Sequence, residues 1–306
     1  MSPKVEKICE KSLLIGEGPH WDDRTQVLYF VSILENFIHK YDFATRTLTI
    51  NAIMYMIPDD RPSFIVPVEG HLDQFVVGLE REFVVVQWDG TEGSAARVVR
   101  LLGEVDPGTA NRINDGKADP RGRLYAGTMD SDLNNLGRNK GTLYRLDESG
   151  ITALCDQITI SNGLAWDLPA KAMYYIDTGE RNIRRYDYDV ETGDISNLQY
   201  IFDFEQKGIE GAPDGCTIDT DGNLWVAVFG GGCVIQISPK GQLLRQVPVP
   251  AKQVTSCTFG GPELDILYVT TGRIEFPEAQ EYPSGCTFQI TNLGVRGHPN
   301  VTFKLQ

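Results

Sequence analysis

Two interleaved series of short apolar runs, each repeated six times, constrain this chain more than any other feature. The first series carries aromatic residues at Tyr29, Phe75, Tyr125, Tyr174, Trp225 and Tyr268, at intervals of 46, 50, 49, 51 and 43 residues. Between them lie 37–42 (FIHKYD), 83–89 (FVVVQWD), 141–147 (GTLYRLD), 182–187 (NIRRYD), 233–238 (CVIQIS) and 286–291 (CTFQIT). Both series are rich in Val, Ile, Tyr and Phe and are bounded by Gly, Asp, Asn and Pro, which is strand chemistry with hairpin turns. Asp221-Gly222 and Ser149-Gly150 are typical turn pairs. No window of about 12 residues carries a convincing helical period. A repeat of roughly 48 residues with about four strands per unit predicts an all-β, six-bladed β-propeller, four antiparallel strands to a blade. A β-sandwich pair would leave the two matched series of six unexplained.

A chain of 306 residues would otherwise be expected to split into two domains. A repeat architecture escapes that limit because every unit adds its own layer of core, so one domain over 1–306 is expected. The net charge of -14 argues against nucleic acid as a partner, since phosphate backbones call for clustered Lys and Arg. The six cysteines form no C-x-x-C pair, which leaves a structural zinc site without support. Residues 1–15 lack the continuous apolar stretch of a signal peptide, and nowhere does an apolar run approach the roughly 18 residues of a membrane span. The expectation is a cytoplasmic protein with free thiols, monomeric or weakly dimeric, and no membrane partner.

In a propeller the innermost strand of each blade starts near a central channel, so residues just ahead of it converge from all blades. Those positions here are Glu17-Gly18-Pro19, Ser63-Phe64, Asn114-Asp115-Gly116, Asn162-Gly163, Asp214-Gly215 and Thr255-Ser256. Turn chemistry alone accounts for any one of them, because Asn, Asp, Ser and Gly favour turns. It accounts less well for all six. The polar segment 130–141 (DSDLNNLGRNKG) is longer than a turn needs and is a candidate lid.

Several chemistries are absent from the sequence: there is no G-x-S-x-G elbow, no H-E-x-x-H and no P-loop. The segment 219–223 (DTDGN) imitates an EF-hand start but has Leu224 and Gly230 where that loop wants glycine and glutamate, so it is expected to be a hairpin turn. Of the four histidines only His20 lies near the expected channel. What remains is an oxygen-rich set, Glu17, Asn162 and Asp214, suited to one hard divalent cation such as Ca²⁺, Mg²⁺ or Mn²⁺. Three protein ligands would leave positions open for water and substrate. Arg112, two residues before Asn114, can face the same side of an extended segment and hold a hydroxyl- or carbonyl-bearing substrate.

The segments 15–21 (IGEGPHW), 111–129 (NRINDGKADPRGRLYAGTM), 160–167 (ISNGLAWD), 174–179 (YYIDTG), 212–219 (APDGCTID) and 259–272 (FGGPELDILYVTTG) resemble the regucalcin family, also called the senescence marker protein, gluconolactonase and luciferin-regenerating enzyme family. The likeness runs from about residue 12 to the C-terminal NLGVRGHPNVTFKL and is strongest to insect members. It implies a six-bladed propeller with one divalent ion in its channel, calcium foremost and zinc, manganese or magnesium as alternatives, and lactonase activity on sugar lactones. It implies Glu17, Asn162 and Asp214 as metal ligands, Asp214 also as general base, and Arg112 and Asn114 as the substrate-binding pair. The family's third substrate contact, often a glutamate, falls at Asp132, one methylene shorter. Ser32 stands where relatives usually carry aspartate. The same site acting on a luciferin-related or other ester, or a non-catalytic calcium-binding protein, are the alternatives.

Overall fold

In the computed structural model, which describes residues 2–54, 60–133, 136–276 and 278–305, the chain is all-β. Two 3-10 turns, Ile33–Glu35 and Thr178–Glu180, are the only helical elements among the described residues. The strands run as successive antiparallel meanders. Gly16–Asp22, Val27–Ser32, Phe37–Asp42 and Thr47–Met54 form the first, and Pro62–Pro67, Gln74–Leu79, Glu82–Gln87 and Ala96–Glu104 the second. Asn111–Ala118, Leu124–Asp130, Gly141–Asp147 and Gly150–Ile158 form the third. Ser161–Asp167, Ala172–Asp177, Asn182–Tyr188 and Ile195–Asp203 follow as the fourth. Ala212–Ile218, Leu224–Phe229, Cys233–Ile237 and Leu243–Pro248 make the fifth. Gln253–Gly260, Ile266–Gly272 and Phe288–Thr291 begin the sixth, and Lys4–Lys7 from the other end of the chain adds its last strand, Lys4 facing Thr291 and Lys7 facing Phe288.

The sheets of the first and second meanders are continuous through a parallel step at Ile53 and Ala96, and those of the fifth and sixth through Phe229 and Gln253. Each meander packs face to face on its neighbours. Tyr29 lies 4.8 Å from Phe75 between the first and second, and Trp21 stacks at 5.4 Å on Tyr268 between the first and sixth. Apolar clusters fill every such junction, including the one that returns from the sixth meander to the first. This explains the sequence pattern. A sheet covered on both faces needs apolar residues at every position of its middle strands rather than at alternate ones. Val27–Ser32 and Ala172–Asp177 are accordingly buried throughout. The last strand of the fourth meander, Ile195–Asp203, lies at the end of its sheet and is exposed over its middle, where Ser196, Asn197 and Gln199 put polar groups on the edge.

The first strands of the meanders pack against one another in succession, Gly16–Asp22 on Pro62–Pro67, then Asn111–Ala118, Ser161–Asp167, Ala212–Ile218 and Gln253–Gly260, which returns to Gly16–Asp22. The structure corrects the expected position of the polar residues. They stand inside these first strands, not in turns ahead of them, and each strand breaks register at that place. The breaks fall between Glu17 and His20, Pro62 and Ile65, Ile113 and Asp115, Ser161 and Leu164, Pro213 and Cys216, and Val254 and Ser256. A β-bulge adds a residue to one strand and re-aims its side chain, so one device turns six positions off the regular pleat. The 219–223 segment is a hairpin turn as expected. The Asp219 carboxylate accepts from Asn223 N at 2.8 Å, Trp225 Nε1 at 2.9 Å and Gln236 Nε2 at 3.0 Å. All six cysteines are free, and no helix among the described residues is long and apolar enough to cross a membrane.

Candidate functional site

Five of the six expected site residues stand in bulged first strands and are nearly closed off from solvent. Exposure is 5% for Glu17, 3% for Arg112, 9% for Asn114, 3% for Asn162 and 7% for Asp214. Glycine after the acidic or amide residue has a packing reason. A Cβ on Gly163 would meet Cys216 Sγ at 2.7 Å and Asp214 O at 2.8 Å, and one on Gly215 would collide with the Ser256 side chain. Only glycine lets neighbouring first strands approach this closely.

Asn114 and Asn162 are in direct contact. Asn114 Nδ2 donates to Asn162 Oδ1 at 3.2 Å and to Ser161 O at 2.8 Å. Asn162 Nδ2 donates to Thr178 Oγ1 at 2.7 Å, and that hydroxyl donates on to Pro213 O at 2.7 Å. Thr178 thus fixes the orientation of the Asn162 amide and ties it to the strand bearing Asp214. An amide has one accepting end and one donating end, and here the donating end meets Thr178 and the accepting end meets Asn114.

The acidic groups form the second feature. Burial pushes Glu17 well above the usual carboxylate range, with the charges of Asp214 and Asp115 adding to it. Burial, then the charge of Asp115, does the same to Asp214. Asp115, which the sequence reading gave no role, is pushed up to about 6, chiefly by burial. The protein supplies each with one backbone N–H: Gly18 N to Glu17 Oε2 at 2.9 Å and Gly116 N to Asp115 Oδ1 at 2.7 Å, and Gly215 N to Asp214. None of the three makes an ion pair among the described residues. Buried carboxylates in that condition are neutralised by protons or by a cation. Among the described residues no three His, Cys, Asp or Glu side chains stand close enough to hold a metal by themselves.

Arg112 is the counterpart. Its Nη1 donates to Ile113 O at 2.9 Å and its Nη2 to Met129 Sδ at 3.3 Å, while Nε has no partner among the described residues. Burial lowers its pKa to about 10. A buried guanidinium joined to no carboxylate has donors to spare for a ligand.

Asp132 differs from the other five. It is exposed, on the segment after Leu124–Asp130, and its backbone N–H donates to Asp130 Oδ1 at 3.1 Å. Of the candidate lid 130–141, residues 134 and 135 lie outside the described residues. The positions contributed by the second and sixth meanders serve the fold: Ser63 Oγ donates to Gly78 O at 3.1 Å and Thr255 Oγ1 to Gly16 O at 2.6 Å. Ser32 is buried, its hydroxyl donating to Glu35 Oε2 at 2.6 Å. Beside the acidic residues lies a cavity of about 20 Å³, the size of one water, lined among others by His20, Asp115, Lys117, Cys216 and Ser256. His20 Nε2 has no partner among the described residues, and burial depresses its pKa to about 3.

Comparison with known proteins gives a consistent answer. The family described as the SMP-30/Gluconolactonase/LRE-like region matches residues 15–273. A protein named putative sugar lactone lactonase YvrE, from Bacillus subtilis (strain 168), is 36% identical over 275 residues, covering 88% of this chain and 87% of its own. A solved luciferin-regenerating enzyme is 42% identical and superposes with a TM-score of 0.91 over 99% of this chain and 100% of its own. A solved regucalcin from Agrobacterium tumefaciens, described as a calcium-binding protein, is 25% identical with a TM-score of 0.84, covering 98% and 97%.

Proposed function

This chain belongs to the SMP-30/gluconolactonase/LRE-like family, and from that premise we propose that it is a divalent-metal-dependent hydrolase of lactones. It works in the central channel of a six-bladed propeller that makes up one domain, 1–306. The observation that carries this reading is the set of buried carboxylates Glu17, Asp115 and Asp214, which make no ion pair among the described residues. Glu17, Asp214 and the Oδ1 of Asn162 would hold the ion. Two carboxylates and an amide oxygen are hard donors, which favours calcium, with zinc, manganese and magnesium as alternatives. When bound, the ion supplies Lewis-acid polarisation of a carbonyl and acidification of water.

The chain's own residues do the rest. Arg112 donates to an oxygen of the substrate through its unused N–H, and Asn114 bonds a ring hydroxyl or the carbonyl. Asp132 makes a third substrate contact from the segment at the mouth. Asp214 takes the proton of the attacking water as its oxygen bonds to the lactone carbonyl carbon. The ring C–O bond then breaks as Asp214 passes that proton to the leaving oxygen, and a hydroxy acid departs.

The 42% identity to a luciferin-regenerating enzyme supports a second reading, the same site acting on a luciferin-related or other ester. A purely calcium-binding role would leave the buried, unpaired Arg112 without a purpose. The test is hydrolysis of a panel of sugar and aromatic lactones by chelator-stripped protein, restored separately with calcium, zinc, manganese and magnesium. Turnover that vanishes on stripping and returns with metal is expected. No turnover with any metal, despite tight binding of one, would replace the hydrolase reading with the binding one.

A further inference from the structure

Past the acidic site, the first strands of the third, fourth and fifth meanders end around a second and larger cavity. It measures about 460 Å³, and its walls are Ala118, Pro120, Ala165, Trp166, Ile218 and Val301. Small side chains at Ala118 and Ala165 leave the room. The roof is the C-terminal tail, which crosses the ends of several meanders. Asn300 Nδ2 donates to Thr258 Oγ1 at 2.8 Å, Phe303 N to Pro67 O at 2.9 Å and Lys304 N to Gly122 O at 2.9 Å.

Three polar residues reach this largely apolar space. Lys117 uses one of its three N–H on Cys216 O at 3.1 Å, Thr217 lines the wall, and the exposed His298 stands at the rim. Lys117 lines both this cavity and the water-sized one beside the acidic residues. Its side chain therefore stands in the wall of both. We propose that this cavity is a second small-molecule site, independent of the acidic one, and that it takes a flat, mostly apolar organic anion. The rings lie against Trp166 and Ile218 under the tail. The carboxylate or sulfonate is directed at Lys117, where an ammonium with unused donors makes a charge-assisted bond. The volume falls within the range of small-molecule pockets, which combine apolar walls with a few polar groups.

The test uses 8-anilinonaphthalene-1-sulfonate, an aromatic sulfonate whose fluorescence rises in apolar surroundings, titrated into the full chain. One saturable site is expected, with the same affinity in calcium and in chelator. Lys117→Met should weaken it about tenfold or more, as loss of a charge-assisted bond does, whereas Lys117→Arg should stay within a few-fold. Pro299→Trp, at an exposed roof position that leaves the core untouched, should occupy the cavity and abolish binding without changing calcium affinity. The Pro299→Trp result decides the matter even if Lys117→Met folds poorly. No saturable binding by the unmodified protein, or equal binding by Pro299→Trp, would overturn the proposal.

Discussion

Thr178 is the most informative single position to perturb, because its hydroxyl serves two strands at once. It accepts from Asn162 Nδ2 at 2.7 Å and donates to Pro213 O at 2.7 Å, half-buried at the start of the Thr178–Glu180 turn. Thr178→Val keeps shape and volume but leaves an amide donor and a carbonyl without partners. Each unsatisfied buried group costs about 1–3 kcal/mol, and half-burial puts each near the lower end, so a loss of about 2 kcal/mol is expected in urea unfolding. Thr178→Ser keeps both bonds and gives up one methyl, about 0.8 kcal/mol. The larger effect is on the site, because the Asn162 amide loses the partner that fixes its orientation. Loss of such a supporting partner weakens metal binding roughly 10- to 100-fold. Calorimetric titration with calcium should separate the variants, serine near the unmodified protein and valine well below it. If valine binds calcium as serine does, Thr178 is a structural residue only and Asn162 is held some other way.

Arg112→Met should leave stability unchanged or raise it slightly, because it removes a buried guanidinium that makes no ion pair among the described residues. At the same time lactone hydrolysis should fall, and unfolding midpoints beside kcat/KM measure both. Gly215→Ala should destabilise by about 1–3 kcal/mol, as overpacking does, since its Cβ collides with the Ser256 side chain; a midpoint within error of the unmodified protein would refute the close-approach argument. His39 is buried, stacked on Phe30 at 4.7 Å with both ring nitrogens unpartnered among the described residues, and burial depresses its pKa from 6.5 to about 3. The unfolded chain therefore takes up a proton near pH 6.5 that the folded protein refuses until about pH 3. Stability from this group falls as pH drops through that window, by up to roughly 1.4 kcal/mol per pH unit. Unfolding at pH 7 and pH 4.5 should show a smaller loss in His39→Met than in the unmodified protein.

Much of this was legible in the chain because a strand covered on both faces must be apolar throughout, and the two series of six display that directly. Turn residues such as Asp219 and Gly222 could be read for the same local reason. The bulges could not. An extra residue in a strand has no composition signal, so Glu17, Asn114, Asn162 and Asp214 were legible as site candidates but were expected just ahead of the strands rather than within them. Ser63 and Thr255 read like site residues, but their hydroxyls serve backbone carbonyls, and which partner a hydroxyl finds depends on the neighbouring strand. Thr178 and Asp115 sat inside recognised segments with no assigned task. Thr178 acts across 16 residues on Asn162 and 35 on Pro213, and Asp115 matters through burial and neighbouring charges. The tail that roofs the second cavity has its effect only through contacts with distant meanders.

The central claim is that Glu17, Asn162 and Asp214 hold one divalent cation and that Asp214 also handles the proton. Its most direct test is calorimetric titration of chelator-stripped protein with calcium, the unmodified chain beside Asp214→Asn, with lactone turnover measured on the same samples. One ion per chain is predicted for the unmodified protein. Binding should be at least about a hundredfold weaker for Asp214→Asn, with turnover lost alongside it and the unfolding midpoint in chelator preserved. Equal calcium affinity in the two proteins would contradict the account.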